Sequence, residues 1–204
     1  MILARSIHPT KEKLIATMVS LMDDRALTSI QVDDVLRESN ISKGSLYHHF
    51  ENFDDLVEVT LIARFAAGVD LSIELVAGAV NGAKSAKELV EKIIEVTTFT
   101  QGRERAKFRM ERARVIGLSV NSPKLLNALE REQDRLTTAM ADLVREGQEK
   151  GWVSKAFDAK TIAVYLQAYT LGRVVDDVAS KDNKIDPQDW SNVVVAALKA
   201  LLTV

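Results

Sequence analysis

The sequence predicts an all-α protein. Three observations carry that prediction. Apolar residues recur at three- and four-residue spacing, no stretch alternates apolar and polar in the manner of a strand, and Pro9, Pro123 and Pro187 all stand where a helix can begin. With 204 residues, 47% of them hydrophobic, the chain can bury a sizeable core.

The first helix is predicted over Thr10–Asp24, with Leu14, Met18, Leu21 and Met22 packing over the two helices that follow. Val32, Val35 and Leu36 start a short second helix, which stops at Asn40, a residue that tolerates the left-handed conformation a helix end requires. Ile41 buries the turn. Ser42 caps a third helix, in which Leu46 and Phe50, four residues apart, face inward and leave Lys43, Ser45, Tyr47 and His48 outside.

Two short helices joined by a tight turn, the second with a polar outer face, make the geometry of a DNA-reading helix-turn-helix. Lys43 can neutralise phosphate, the Tyr47 hydroxyl and the His48 imidazole can donate to phosphate oxygens, and Ser45 is short enough to reach base edges. Gly44 lies in the first turn, where glycine costs a helix roughly 1 kcal/mol against alanine. Its use there points to close approach of another backbone or of a phosphate.

The run Thr28-Ser-Ile-Gln-Val-Asp-Asp-Val-Leu36, the run Asn40-Ile-Ser-Lys-Gly-Ser-Leu-Tyr-His-His-Phe50 and the following Asp54-Asp55-Leu56 resemble the N-terminal domain of the TetR family of transcriptional regulators. The resemblance covers about the first quarter of the chain. It implies DNA contact from Ser29, Ser42, Lys43, Ser45, Tyr47 and His48. It also implies a reader domain over residues 1–53 and a helical ligand-binding and dimerisation domain over 54–204, with pairing through the last two long helices. Family members bind a small molecule between helices, which changes the spacing of the two readers and releases a pseudo-palindromic operator; the resemblance therefore implies a homodimeric repressor. Two positions depart from the family pattern: Asn40 stands where glycine is usual, and Phe53 where a phosphate-binding lysine is common.

Charge is silent on nucleic acid. The formal net charge is −2, and residues 1–56 hold six Lys/Arg against nine Asp/Glu, a balance of −3. Any positive surface must therefore be local, and few phosphate contacts per subunit are expected. The absence of cysteine excludes disulfides, thiolate zinc sites and thiol catalysis, and it fits a cytoplasmic protein. No membrane span is expected, because the most apolar region, Val57–Val80, contains Glu58, Arg64, Asp70 and Glu74; Met1–Arg5 is too short for a signal peptide.

A long fourth helix is predicted from near Asp54 to about Val76, loosening through Gly78, Asn81 and Gly82, and a fifth from Ser85 to about Thr100 that buries Leu89, Ile93 and Val96. The sixth, Glu104–Gly117, stacks Arg105, Arg109 and Arg112 along one face beside Ala106, Met110 and Ala113. That stripe suits an anionic ligand, a solvated face paired with carboxylates, or a contact with the reader domain. The seventh starts at Ser122-Pro123 and stops at Gly151, with Leu126, Leu129, Leu136, Met140 and Leu143 as an inward seam.

From Asp158 onward, Ile162, Leu166 and Tyr169 form one stripe, and Val164, Ala168, Leu171, Val175 and Val178 form another. The final helix, capped by Asp186 before Pro187, carries a similar excess in Trp190, Val193, Val194, Val195, Ala197, Leu198 and Leu201. Helices apolar on two sides are buried on two sides, so Val164, Ala168, Leu171, Val175, Val194, Ala197, Leu198 and Leu201 are expected at a two-fold four-helix interface between copies. An effector pocket is expected to be lined by large or adaptable inward groups: Phe65, Phe99, Arg109, Met110, Met140, Tyr165 and Tyr169.

Nothing supports catalysis, a cofactor or a metal. No Gly-rich phosphate loop follows a strand, the three histidines (His8, His48 and His49) form no i,i+3 or i,i+4 ligand pair on a helix, and the Asp-Asp pairs point about 100° apart, as solvated or capping charges do.

Overall fold

A computed structural model of the chain describes residues 8–202. Met1–Arg5, read as too short for a signal peptide, lie outside them. The described residues form ten α-helices and no strand: α1 Pro9–Asp24, α2 Val32–Ser39, α3 Lys43–His49, α4 Phe53–Gly82, α5 Ala86–Gln101, α6 Ala106–Ser119, α7 Pro123–Glu149, α8 Ala159–Gly172, α9 Val174–Asp177 and α10 Pro187–Leu202. Among these residues no helix is long and apolar enough to cross a membrane.

Helix starts follow local chemistry. Pro9, Pro123 and Pro187 each occupy the first helical position, where the missing N–H is no loss. His8 Nδ1 caps α1 by accepting the Thr10 N–H at 3.2 Å, and the Ser85, Ser122 and Asp158 side chains cap α5, α7 and α8 in the same way. Asp186 accepts the Gln188 and Asp189 N–H groups at the start of α10. Gly151, just after α7, takes φ 70°, the left-handed stop the sequence called for.

The chain divides into two compact units, up to Ala66 and from Ala67 onward, so the division falls inside α4 and later than the Phe53/Asp54 boundary expected from sequence. In the first unit, α1 packs on α2 and α3. Its core is Leu14, Met18, Leu21, Met22, Ile30, Val35, Leu46 and Phe50, joined by Leu56, Leu61 and Phe65 from α4. Arg64 on α4 donates to the Val19 carbonyl at 3.3 Å and to Asp23 at 2.7 Å. These contacts explain why the first turns of α4 belong with the helices before it.

In the second unit α7 and α8 form the most extensive helix pair, α6 packs on α7 and α9, and α10 packs on α5. Three expectations need correction here. α4 does not loosen at Gly78 but continues to Gly82, because burial of Ala79 and Val80 offsets the weak propensity of the glycines. The helix begun at Asp158 breaks at Arg173 into α8 and α9. Leu126, placed on the inward seam of α7, is 41% exposed, since Leu125 takes the buried position.

Candidate nucleic-acid interface and helical cavity

The turn between α2 and α3 is built from local interactions. Gln31 and Asp34 form a capping box at the start of α2, in which Asp34 Oδ2 accepts the Gln31 N–H at 3.0 Å. That backbone donor, then the Arg37 guanidinium at 2.7 Å and Arg25, hold the Asp34 carboxyl at about 2, below the usual carboxylate range. Asn40 ends α2 at φ 52°, ψ 38°, the only described non-glycine residue at positive φ. Ser42 Oγ accepts the Ser45 N–H at 3.2 Å and starts α3.

Leu46 and Phe50 are buried, while Ser42, Lys43, Gly44, Tyr47 and His48 are exposed and Ser45 is half-buried. Ser29 is exposed in the turn before α2, its hydroxyl donating to the Ala26 carbonyl at 2.7 Å. The seven residues expected at DNA thus lie on α3, its cap and that turn. Among the described residues, no atom beyond the glycine's own neighbours and helix backbone comes within 4 Å of a Cβ built at Gly44, so contact with another described part of this backbone does not account for the glycine. At the far end of α3 the three histidines cluster, His8 and His49 at 4.6 Å and His48 and His49 at 5.1 Å between ring centroids. Burial first, and then His8, His48 and Lys11 nearby, push the His49 pKa down.

Residues 14–60 match the family model described as bacterial regulatory proteins, tetR family. Over 185 residues the chain is 21% identical to the HTH-type transcriptional regulator UidR of Escherichia coli (strain K12), covering 86% of this chain and 84% of the relative. Over residues 14–60 the chain is thus similar to the tetR family of bacterial regulators. Its fold is also that of Salmonella enterica GusR (TM-score 0.67, 17% identity, 98% of each chain covered) and of a putative TetR-family transcriptional regulator from Mesorhizobium loti MAFF303099 (TM-score 0.72, 14% identity, 96% of this chain and 97% of that one). The matched family and the curated relatives are transcriptional regulators, not enzymes.

The second unit holds a cavity of about 330 Å³. Its walls come from α4 (Leu71, Leu75), α5 (Ile93, Thr97), α6 (Phe108, Arg112), α7 (Gln133, Met140) and α8 (Gln167, Tyr169). Of the seven residues expected at a pocket, Arg109, Met140 and Tyr169 line this one. The other four do not, and geometry supplies the reasons. Phe65 is buried in the first unit, Phe99 lies two positions from the inward Thr97 and thus on the opposite side of α5, and Met110 and Tyr165 are 39% and 42% exposed.

The arginine stripe of α6 is resolved residue by residue. Arg109 is buried and donates through Nε and Nη2 to both oxygens of Asp177 at 2.7 and 2.8 Å, and through Nη1 to the Thr100 and Gly102 carbonyls. The guanidinium of Arg105 lies 5.1 Å from the Phe99 ring and 4.7 Å from the Phe108 ring. Arg112 Nη2 donates to Gln133 Oε1 at 3.1 Å, and burial pushes its pKa down. Tyr169 Oη and Thr97 Oγ1 are hydrogen-bonded at 3.0 Å, and burial pushes the Tyr169 pKa up.

Sequence reasoning missed Phe108, Gln133 and Gln167 as cavity residues. Gln133 carried a usable signal: it stands four residues after Leu129 on the inward side of α7, where a polar residue needs a partner. Phe108 carried none, because its place depends on Gly68 of α4, where a Cβ would sit 2.5 Å from the ring.

The expected dimer residues also separate. Val164, Ala168 and Val175 are exposed and Leu171 half-exposed, a continuous apolar seam opposite the buried Ile162, Ala163 and Leu166. Val194 and Leu198 are buried within the chain; α10 packs on α5, where Trp190 Nε1 donates to Gln101 Oε1 at 2.6 Å. Ala197 and Leu201 are half-buried, and Val193, not Val194, carries the exposed apolar surface of α10.

Proposed function

We propose that the chain is a TetR-family repressor in the cytoplasm that binds a pseudo-palindromic operator as a homodimer and is released by a small-molecule effector. The observation that carries the reading is the division of labour on α3: Leu46 and Phe50 fix the helix in the core while Lys43, Ser45, Tyr47 and His48 face outward from a capped first turn. Gly44 is then explained as clearance for a phosphate. One short helix makes too few base contacts for useful specificity, and two, held one helical turn apart, read successive major grooves.

The second copy is proposed to sit on the seam Val164, Ala168, Leu171 and Val175, of which Val175 is 75% exposed. Val164, Ala168 and Leu171 also line the cavity, so an effector inside it touches the residues assigned to pairing. Residues 1–53 are assigned to reading DNA and 54–204 to effector binding and dimerisation. Release requires that the effector bind the released conformation better than the DNA-bound one.

The test is selection from a pool of random duplexes at about 0.15 M salt, followed by sequencing of the bound fraction. An inverted repeat supports the reading. No enriched motif, from protein shown to be folded and dimeric, overturns it in favour of a helical ligand-binding protein without specific DNA affinity.

A further inference from the structure

We propose that the second copy closes the mouth of this cavity, so that each effector site is complete only in the dimer, an inference that rests on the cavity being the effector site and the α8 seam the pairing surface.

The walls of the cavity show where it opens. Its deep end is closed by buried groups, Ile93 and Thr97 of α5, Leu136 and Met140 of α7 and Leu166 of α8. Among its lining residues only three are exposed: Ile116 of α6 and, one turn apart on α8, Val164 and Ala168. The opening therefore lies between α6 and α8, and every exposed side chain on it is apolar. Covering such a mouth removes apolar surface of the rim and of the bound molecule from water together.

The mouth is continuous with the seam. Val164 and Ala168 are four residues apart, Leu171 follows three later, and Val175 and Val178 extend the exposed apolar surface into α9 and just past it. A surface that lies on this stripe lies on the opening. The stripe also suits its own copy. A two-fold interface sets a patch against itself, so a charge on it would meet a like charge across the axis. The single charged residue between Val164 and Val175 is Arg173, and it is buried. In such a pair each copy presents the same patch, and both mouths are covered in one step.

Filling the cavity and pairing are then linked equilibria. A molecule in the cavity buries part of itself only against the partner, so it binds the dimer more tightly than the monomer and tightens the dimer by the same factor. An effector with this linkage releases the operator from an intact dimer instead of splitting it.

The test uses the full-length chain and N-phenyl-1-naphthylamine, an uncharged apolar fluorophore, as the cavity probe. Dimer dissociation is measured by sedimentation equilibrium of labelled chain into the nanomolar range, with and without the probe. Probe affinity is measured by fluorescence titration of the unmodified chain and of Val175→Asp, which sets like charges across the pair at a position outside the cavity lining. The probe is expected to tighten the dimer about tenfold or more, and the Val175→Asp monomer to bind it about tenfold more weakly. Leu75→Trp, which fills the cavity from α4, is expected to abolish probe binding and the tightening with it. Sedimentation of the unmodified chain decides alone should Val175→Asp fail to fold. Equal probe affinity in monomer and dimer, or a probe that loosens the dimer, overturns the shared site and leaves cavity and dimer standing. A chain monomeric at every concentration overturns the pairing reading as well. No probe binding, or binding untouched by Leu75→Trp, overturns the effector-site reading.

Discussion

Asp177 gives both carboxylate oxygens to Arg109, across 68 residues of sequence, with the two side chains 7% and 4% exposed. The pair ties α6 to the end of α9, and the Arg109 donors left over close onto the Thr100 carbonyl in the last turn of α5 and the Gly102 carbonyl just after it. An ion pair this enclosed is costly to break from one side, since the survivor keeps its charge without a partner. Asp177→Leu or Arg109→Met is expected to lower stability by about 3–5 kcal/mol, measured by urea denaturation, and the double variant Arg109→Met with Asp177→Leu to cost clearly less than the two single losses summed. Additive losses would contradict the coupling.

Asn40 tests the turn. A non-glycine residue at φ 52° carries steric strain that glycine lacks and that asparagine relieves better than alanine. Asn40→Gly is expected to be neutral or slightly stabilising, and Asn40→Ala to destabilise by about 1 kcal/mol, read as a shift in melting temperature. A stabilising alanine would contradict the left-handed stop.

The capping box has a pH signature. The Asp34 carboxyl is held at about 2, below its unfolded value near 3.8, so its contribution is complete above the unfolded value and disappears as pH falls through about 2. Asp34→Asn is therefore expected to be less stable than the parent at neutral pH, with the gap closing between about pH 4 and pH 2. A gap independent of pH in acid titrations would contradict the assignment.

Phe108 owes its position in the cavity wall to the missing side chain at Gly68, where a Cβ would lie 2.5 Å from the ring. Gly68→Ala is expected to displace that ring and shift the affinity of a cavity probe at least severalfold, with operator affinity in the absence of effector unchanged. Unchanged probe binding would remove Phe108 from the site.

Lys43 and Ser45 should fail differently. Lys43→Ala is expected to weaken all duplexes alike and lower the salt slope by about one per subunit, while Ser45→Ala relaxes preference at one base position. Binding measured across salt concentrations and single-base variants of the selected site separates the two.

These elements also show which parts of the fold sequence reasoning reaches. The helix-turn-helix is legible because its determinants are local: Asn40 stops α2, Ser42 caps α3 three residues before its bonded donor, and Leu46 and Phe50 are spaced to share a face. Asp177 was read with Asp176 as a solvated or capping charge. Asp176 instead accepts the Ile185 N–H from the loop before α10 and pairs with Arg173, and the burial of Asp177 depends on a residue in another helix. Val194 and Leu198 are as apolar as Val193, and only the docking of α10 on α5 decides which side stays outside. Gly78 signalled a loosening helix by propensity, and packing of Ala79 and Val80 carries α4 past it to Gly82, where the helix ends. Four of the seven residues expected at a pocket lie away from the cavity, because large residues such as Phe65 and Phe99 fill cores and surfaces as readily as pockets.

The most direct measurement is fluorescence anisotropy of one labelled duplex, carrying the inverted repeat recovered by selection, against a shuffled duplex of the same composition at about 0.15 M salt. The account predicts two chains per duplex and a preference of about a thousandfold or more for the inverted repeat. Equal affinity for the two duplexes would contradict it.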